Sequence, residues 1–280
     1  MEGEIAMPEL PEAENICRAL DRALRGRVIT KVEVFTPAMR TGLLPLKTAH
    51  LEGVMISGTR RRGRYVVVDL ADGRALLMHF GMSGVVCVEG PEVPRRKHEH
   101  VFLHLDDGRI FRFECTRRFS LLEVVEKPGA DAWPEALAAL GAEPLADGFD
   151  GEYLYAASRR RHVAVKLLLM DNAVVTGIGN IYANETLFAC GISPLRPASE
   201  LTRRECGLLA ENAKKILRRA IDAGGTTISD FLNVDGSEGK FVRELRIYGG
   251  AGKPCPRCGG TVLCVRQGGR SSFYCPGCQK

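Results

Sequence analysis

Between Val28 and Glu126 apolar and polar residues alternate with a period of two. The runs "VITKVEVF", "GRYVVVDL", "RALLMHF", "HVFLHLDDGRIFRFE" and "SLLEVVE" each read as half-buried strands bounded by turn residues. Asp107-Gly108 marks a hairpin inside the fourth run. About eight short strands in this span predict a β-sandwich or barrel. The helical period replaces it on both sides. Ahead of the strands, "PEAENICRALDRALRG" places Ile16, Cys17, Leu20 and Leu24 on one face, and Pro11 suits a first helical turn. Beyond residue 150, "HVAVKLLLMDN", "IYANETLFAC" and "ELTRRECGLLAENAKKILRRAIDAGG" predict three helices. In the last, Leu209, Ala213, Ile216, Leu217 and Ala220 share a face, Thr202 and Glu205 form a capping box, and Gly224-Gly225 ends the helix.

The expected class is therefore α+β. A leader (1–7) precedes a helix-plus-sandwich domain (8–126). A linker (127–149), a helical domain (150–252) and a small C-terminal piece (253–280) follow. At 280 residues the chain can bury a sizeable core, and 45% hydrophobic with 26% charged residues exclude disorder and collagen-like structure. No apolar run approaches a membrane span, and "MEGEIAM" lacks the basic start and apolar stretch of a secretory signal. A cytoplasmic location is expected, with no membrane partner.

The net charge of +5 is unevenly spread. "RRRGR" (60–64), "RRK" (95–97) and "RRR" (159–161) suit a polyanion, although any one run alone reads as solvated surface. Ten cysteines are many for the cytoplasm, and six are scattered without pairing spacings. The other four are Cys255-x2-Cys258 and, sixteen residues on, Cys275-x2-Cys278, the spacing of a four-thiolate zinc site. A reducing compartment disfavours the disulfide alternative. Between the knuckles, "TVLCV" and "SSFYC" alternate as two strands joined by "RQGGR", which sets Arg270 at or near a hairpin tip. One structural zinc ion is expected.

In "AVVTGIGN" the glycines Gly177 and Gly179 form a tight turn between helices, and Asn180 stands where an N-cap belongs. A helix N-terminus behind small residues suits a phosphate, although a lone Asn is more often a simple cap. At the other end of the chain, "MPELPEAE" (7–14) puts two prolines and three glutamates at the start of a helix.

"PELPE" (8–12), "HFGMSG" (79–84), "KHEH" (97–100), "RRF" (117–119), "GIGNIYANE" (177–185), "GGTT" (224–227) and the terminal cysteine hairpin occur in that order. Each is weak alone. Together, from Met7 to Lys280, they resemble the Fpg/Nei family of bifunctional DNA glycosylases, on the formamidopyrimidine-DNA glycosylase branch more than the endonuclease VIII branch. The resemblance implies an N-terminal β-sandwich, a helix–two-turn–helix domain with a zinc finger, and double-stranded DNA running between them. It implies excision of 8-oxoguanine and formamidopyrimidines, then β,δ-elimination at the abasic sugar. The protein is expected to act as a monomer on DNA carrying oxidised bases or abasic sites, nucleoid-associated if bacterial.

On this resemblance Pro8 is the nucleophile and Glu9 the acid/base partner. A secondary amine condenses to an iminium with no N–H to lose, so the adduct stays cationic and draws electrons from the sugar. That chemistry needs Pro8 at the mature N-terminus. Start at Met7, or clipping of the leader, supplies it, and loss of "MEGEIA" removes Glu2 and Glu4 and raises the net charge from +5 to +7. Met82, Arg117 and Phe119 correspond to the residues that fill the gap left by a flipped base. His79, His98, Arg161, Asn180, Tyr248 and Arg270 fall to phosphate grip, with Lys166 as a further candidate. Arg270 suits electrostatic stabilisation, since a guanidinium does not give up its proton.

Three departures from the pattern stand out. The leader is one. Arg64 replaces the usual Lys before the tyrosine of an "RRGKY"-like strand, which keeps a phosphate contact but no proton donor. "CTRRFS" replaces "DPRRFG", so Cys115, Thr116 and Ser120 surround the wedge residues and bear on recognition of the opposite base. Two alternatives follow: a catalytically impaired relative that binds oxidised or abasic DNA, and a general DNA- or RNA-binding zinc protein. Borohydride trapping on an 8-oxoguanine duplex separates all three.

Overall fold

The computed structural model describes residues 7–36, 50–129, 131–226 and 239–280. Most of the leader (1–6) and Thr227 of the "GGTT" motif lie outside the described residues. The described residues fall into two compact units, drawn from 1–138 with 224–239 and from 139–223 with 240–280.

In the first unit, α1 (Leu10–Leu24) starts one residue earlier than its proline suggests, with Glu9 as N-cap and a Glu9/Glu12 capping box. Leu10, Ala13, Ile16, Cys17, Leu20 and Leu24 are buried, the spacing of one helical face. That face packs on two strands, β2 (Ile56–Arg62) and β3 (Tyr65–Leu70). Thr59 ties the pair: its hydroxyl donates to the Cys17 carbonyl at 2.8 Å and its amide to Asp21 at 2.7 Å.

The sandwich has two four-stranded antiparallel sheets. One runs β2-β3-β4-β8, adding β4 (Arg74–His79) and β8 (Leu121–Glu126). The other runs β1-β6-β7-β5, from β1 (Ile29–Val34), β6 (Glu99–Leu105), β7 (Ile110–Cys115) and β5 (Gly84–Glu89). Val66, Val68, Leu76 and Met78 of one sheet and Val101, Leu103, Phe111 and Phe113 of the other meet in one core with the apolar face of α1. The Asp107-Gly108 hairpin forms as its sequence predicts, with Gly108 at φ +85°.

Two strands have no counterpart among the alternating runs. β2 is hidden by Arg60, Arg61 and Arg62, which stand in sequence as a polyanion cluster. In the fold Arg60 grips Asp69 with contacts of 2.5 and 3.0 Å, and Arg61 is buried against Glu14 at 2.7 Å. Arg96 is likewise paired, with Glu89 and Glu99. Much of the apparent polyanion surface is thus internal ion pairing.

The second unit holds α2 (Gly151–Ser158), α3 (Val165–Leu169), α4 (Asn180–Cys190) and α5 (Arg203–Asp222), with the hairpin β9 (Leu263–Gln267) and β10 (Arg270–Tyr274). The expected 127–149 linker is divided between the units: Arg60 donates to the Asp131 and Ala132 carbonyls, whereas the Gly141 and Ala142 amides bond Asn172 and Val174. The Thr202/Glu205 capping box of α5 forms, but Ile216, expected on its buried face, is only half-buried. The terminal hairpin packs into the helical unit. Glu185 of α4 accepts the amides of Arg246, Ile247 and Tyr248 at 2.9–3.1 Å, and Asn184 Oδ1 accepts the Phe273 amide at 2.7 Å.

Candidate active site and nucleic-acid interface

Pro8 and Glu9 are buried at the N-terminus of α1, Glu9 only 3% exposed. The reason is the second acid. Glu12 Oε2 accepts the Glu9 amide at 2.9 Å, and Glu12 Oε1 accepts the Thr226 amide at 2.7 Å. Both acids are therefore helix-start residues, as their positions alone suggest, but Glu12 also fixes the backbone beside Pro8. Thr226 follows Gly225, whose φ of +86° and close approach (3.1 Å from a Cβ position to Glu12 Oε1) require glycine.

One turn further on, Glu14 pairs with Arg61, and Arg61 also donates to the Gly63 carbonyl at 2.9 Å. Burial opposes the charge on Glu14, but Arg61 and Arg18 outweigh it and hold the carboxyl below its ordinary pKa. This bridge seats the first half of α1 beside the β2–β3 turn. Arg64 lies in that turn, not in a strand as its sequence context suggests; Arg62 and Tyr65 pair on either side, and Gly63 takes φ +59°. A two-residue hairpin with a left-handed first position accounts for the glycine.

His79 faces Tyr65 across the same sheet, ring centroids 4.8 Å apart, and its Nδ1 accepts the Gly81 amide at 3.2 Å. Met82 follows in the turn before β5. Arg117 Nη1 stands 3.8 Å from Met82 Sδ. Phe119 is 56% exposed, so this ring is not packed into the core, while Met82 is half-buried. His98 is half-buried, and its carbonyl accepts the Cys115 amide. The first unit thus gathers Arg64, Met82, Arg117 and Phe119 on turns, and His79 at the end of β4, at one end of its sheets.

In the second unit the helix cap falls one residue earlier than the sequence predicts. Gly179 is the N-cap of α4 and Asn180 its first helical residue. Asn180 Oδ1 faces Asn184 Nδ2 at 3.4 Å. Its own Nδ2 is buried and has no hydrogen-bond partner among the described residues. Gly177 takes φ +90°, which fits the tight turn expected there. Asn184, unremarked in the sequence, donates to the Asn180 carbonyl at 2.6 Å and so links this helix start to β10 through Phe273. A polar residue four after Asn180, on the same face of the helix, is the signal that would have found it.

Arg270 opens β10, directly after Gly268 and Gly269 in left-handed conformations, as the hairpin reading requires. Lys166 differs from its expected surface role. It is fully buried, and its ammonium donates to the Ser271 carbonyl and the Ser272 hydroxyl, both at 2.7 Å. The charge is tolerated because two oxygens replace its water. Arg161 is paired with Asp171 at 2.6 Å, and the Tyr248 ring packs on Phe273 at 5.1 Å.

The four terminal sulfurs, of Cys255, Cys258, Cys275 and Cys278, lie within 4.8 Å of one another. Cys255–Cys278 and Cys258–Cys275 are separated by 3.9 and 3.5 Å. Sulfurs about 2.3 Å from a tetrahedral zinc lie roughly 3.8 Å apart, so the set fits one structural ion with no open position. Burial opposes ionisation of Cys255, but the amides of Arg257 and Cys258 outweigh it and bring the thiol to about 7.

Three family models match along the chain: the formamidopyrimidine-DNA glycosylase N-terminal domain over residues 7–122, the formamidopyrimidine-DNA glycosylase H2TH domain over 140–232, and the zinc finger found in FPG and IleRS over 252–280. A formamidopyrimidine-DNA glycosylase of Alcanivorax borkumensis is 44% identical over 274 residues, covering 98% of this chain and 100% of that protein. One from Haemophilus influenzae is 42% identical over 280 residues, covering 98% and 99%. Among solved structures, the wild-type Lactococcus lactis Fpg with DNA containing N7-benzyl-Fapy-dG superposes with a TM-score of 0.87 at 32% identity, covering 98% of this chain and 100% of that one. The same organism's Fpg with abasic-site DNA gives 0.87 at 30%, covering 97% and 99%.

Proposed function

The chain belongs to the formamidopyrimidine-DNA glycosylase family, and on that premise we propose how its own residues divide the work. It is a DNA glycosylase and AP lyase that repairs oxidised purines in double-stranded DNA, with one structural zinc ion in its C-terminal finger.

Pro8 is the nucleophile. Its ring nitrogen bonds to C1′ of the damaged nucleotide, the glycosidic bond breaks, and Glu9 gives a proton to the sugar oxygen as the ring opens. The resulting iminium acidifies the neighbouring sugar carbon, and elimination of the 3′ phosphate follows. The observation that carries this assignment is the burial of Pro8 and Glu9 at the start of α1, with the Glu9 amide clamped by Glu12. The positive end of the helix disfavours an ammonium there, and the nearby acids Glu9 and Glu12 oppose that effect.

Met82, Arg117 and Phe119 fill the gap left by the flipped base, a role that the exposure of Phe119 supports. Arg64, His79, His98, Arg161, Asn180, Tyr248 and Arg270 contact the DNA backbone. The orphaned Nδ2 of Asn180 supports this for the α4 terminus, because a phosphate oxygen would satisfy it. Lys166 acts indirectly, by anchoring β10 beside Arg270. The enzyme works as a monomer in the cytoplasm, where its DNA is; among the described residues no helix is long and apolar enough to cross a membrane.

The test is borohydride trapping on an 8-oxoguanine duplex with two preparations, one beginning at Pro8 and one retaining Met1. A covalent adduct is expected only with the first. Equal trapping by a protein whose intact mass still includes Met1 overturns the assignment of Pro8.

A further inference from the structure

Two turns distant in sequence are stitched together at one end of the sandwich. One, Phe80 to Gly84, carries Met82; the other, Thr116 to Phe119, carries Arg117 and Phe119. Cys115 and Ser120 bracket the second turn, and both are fully buried. Ser120 Oγ lies 2.6 Å from the Phe80 carbonyl oxygen and 2.9 Å from Cys115 Sγ. A carbonyl only accepts, so the single hydroxyl proton goes to Phe80 and the Cys115 thiol donates to Ser120 Oγ. The Arg117 amide adds a bond to Ser83 Oγ at 3.0 Å. Cys115 is itself anchored, its amide donating to the His98 carbonyl at 3.0 Å and its carbonyl accepting from His100 Nε2 at 2.9 Å.

The two turns touch closely. A Cβ on Gly81 would lie 2.8 Å from the Phe119 carbonyl, and one on Gly84 would lie 2.5 Å from Ser120 Oγ. Arg118, between the wedge residues, takes φ +57°, a conformation that a side-chain-bearing residue holds only when its surroundings impose it.

We propose that Cys115 and Ser120 are positioning residues that lock the Met82 turn against the Arg117–Phe119 turn and so set how efficiently the pair enters a duplex. The proposal rests on the wedge reading given above. Its test uses the zinc-loaded full chain beginning at Pro8, with two substrates. One is a duplex containing 8-oxoguanine. The other is a single-stranded oligonucleotide with a preformed abasic site, which has no partner strand to wedge.

Ser120→Ala and Cys115→Val are expected to lower kcat/KM on the duplex roughly three- to tenfold, with lyase activity on the single strand changed by less than about twofold. Cys115→Ser keeps a donor and is expected to stay near the parent on both. Equal losses on the two substrates, or an unchanged duplex rate in Ser120→Ala, overturn the proposal. Met82→Ala and Phe119→Ala separate it from its premise. If these two leave duplex activity intact, the wedge reading fails and the proposal with it. If they impair it while Ser120→Ala does not, the relay alone is overturned.

Discussion

Glu12 and Thr226 stand 214 positions apart in the chain and are joined by a 2.7 Å hydrogen bond from the Thr226 amide to Glu12 Oε1. The other oxygen of the same carboxylate holds the Glu9 amide, one residue from Pro8. One buried side chain thus fixes the backbone beside Pro8 and the segment at Thr226.

Replacement of Glu12 by alanine removes the carboxylate that accepts two buried amides. At about 1–3 kcal/mol for each unsatisfied donor, the first unit should lose about 2–6 kcal/mol and Pro8 its fixed position. Thermal unfolding should show the loss, and borohydride trapping should slow beyond what reduced stability explains. Glu12→Gln keeps one acceptor oxygen and should fall between.

Lys166→Met keeps the volume of the buried stem but removes both bonds to the hairpin. The loss of these bonds should cost about 1–3 kcal/mol, and Arg270 loses its anchor. Binding to abasic-analogue duplex should weaken. If Arg270 contacts one phosphate, the slope of log affinity against log salt should become shallower by about 0.9, as in Arg270→Ala. An unchanged slope in both variants would remove Arg270 from the backbone contacts.

Glu205 carries a pH dependence that can be checked away from the active site. The Arg196 guanidinium, against burial and with help from Thr202, holds its carboxyl at about 2 instead of 4.5. A depressed folded pKa stabilises above the unfolded value and is lost as pH falls through the folded one. Glu205→Gln should therefore lower the melting temperature at neutral pH. The difference from the parent should shrink between about pH 4.5 and 2.

Stripping zinc with a chelator should unfold the terminal hairpin, because Cys255 and Cys275 belong to one small cluster with Phe188, Ile247, Val262 and Phe273. The sandwich has its own core and should persist in circular dichroism. DNA affinity should drop sharply and return on adding Zn2+; affinity unaffected by verified zinc loss would contradict the placement of Arg270 in the interface.

What could be read directly along the chain is what neighbouring residues settle among themselves. The zinc knuckles, the Gly268-Gly269 turn ahead of Arg270, the Thr202/Glu205 box and the buried stripe of α1 are set by spacings of two to seven residues, and period and turn chemistry expose them. Strands β2 and β5 escaped that reading. Three arginines in β2 conceal its alternation, since their partners Asp69 and Glu14 sit on other elements. The same holds for the site. Pro8, Glu9 and the wedge residues were legible only through a resemblance, because nothing local distinguishes a catalytic glutamate from a helix-start one or a wedge phenylalanine from a core one. Tertiary structure decided the exposure of Phe119, the burial of Lys166, the double use of Glu12 and the coupling of Cys115 to Ser120 and Phe80. Each depends on which distant group removes water from a polar atom and takes its hydrogen bond, and a linear pattern carries no record of that.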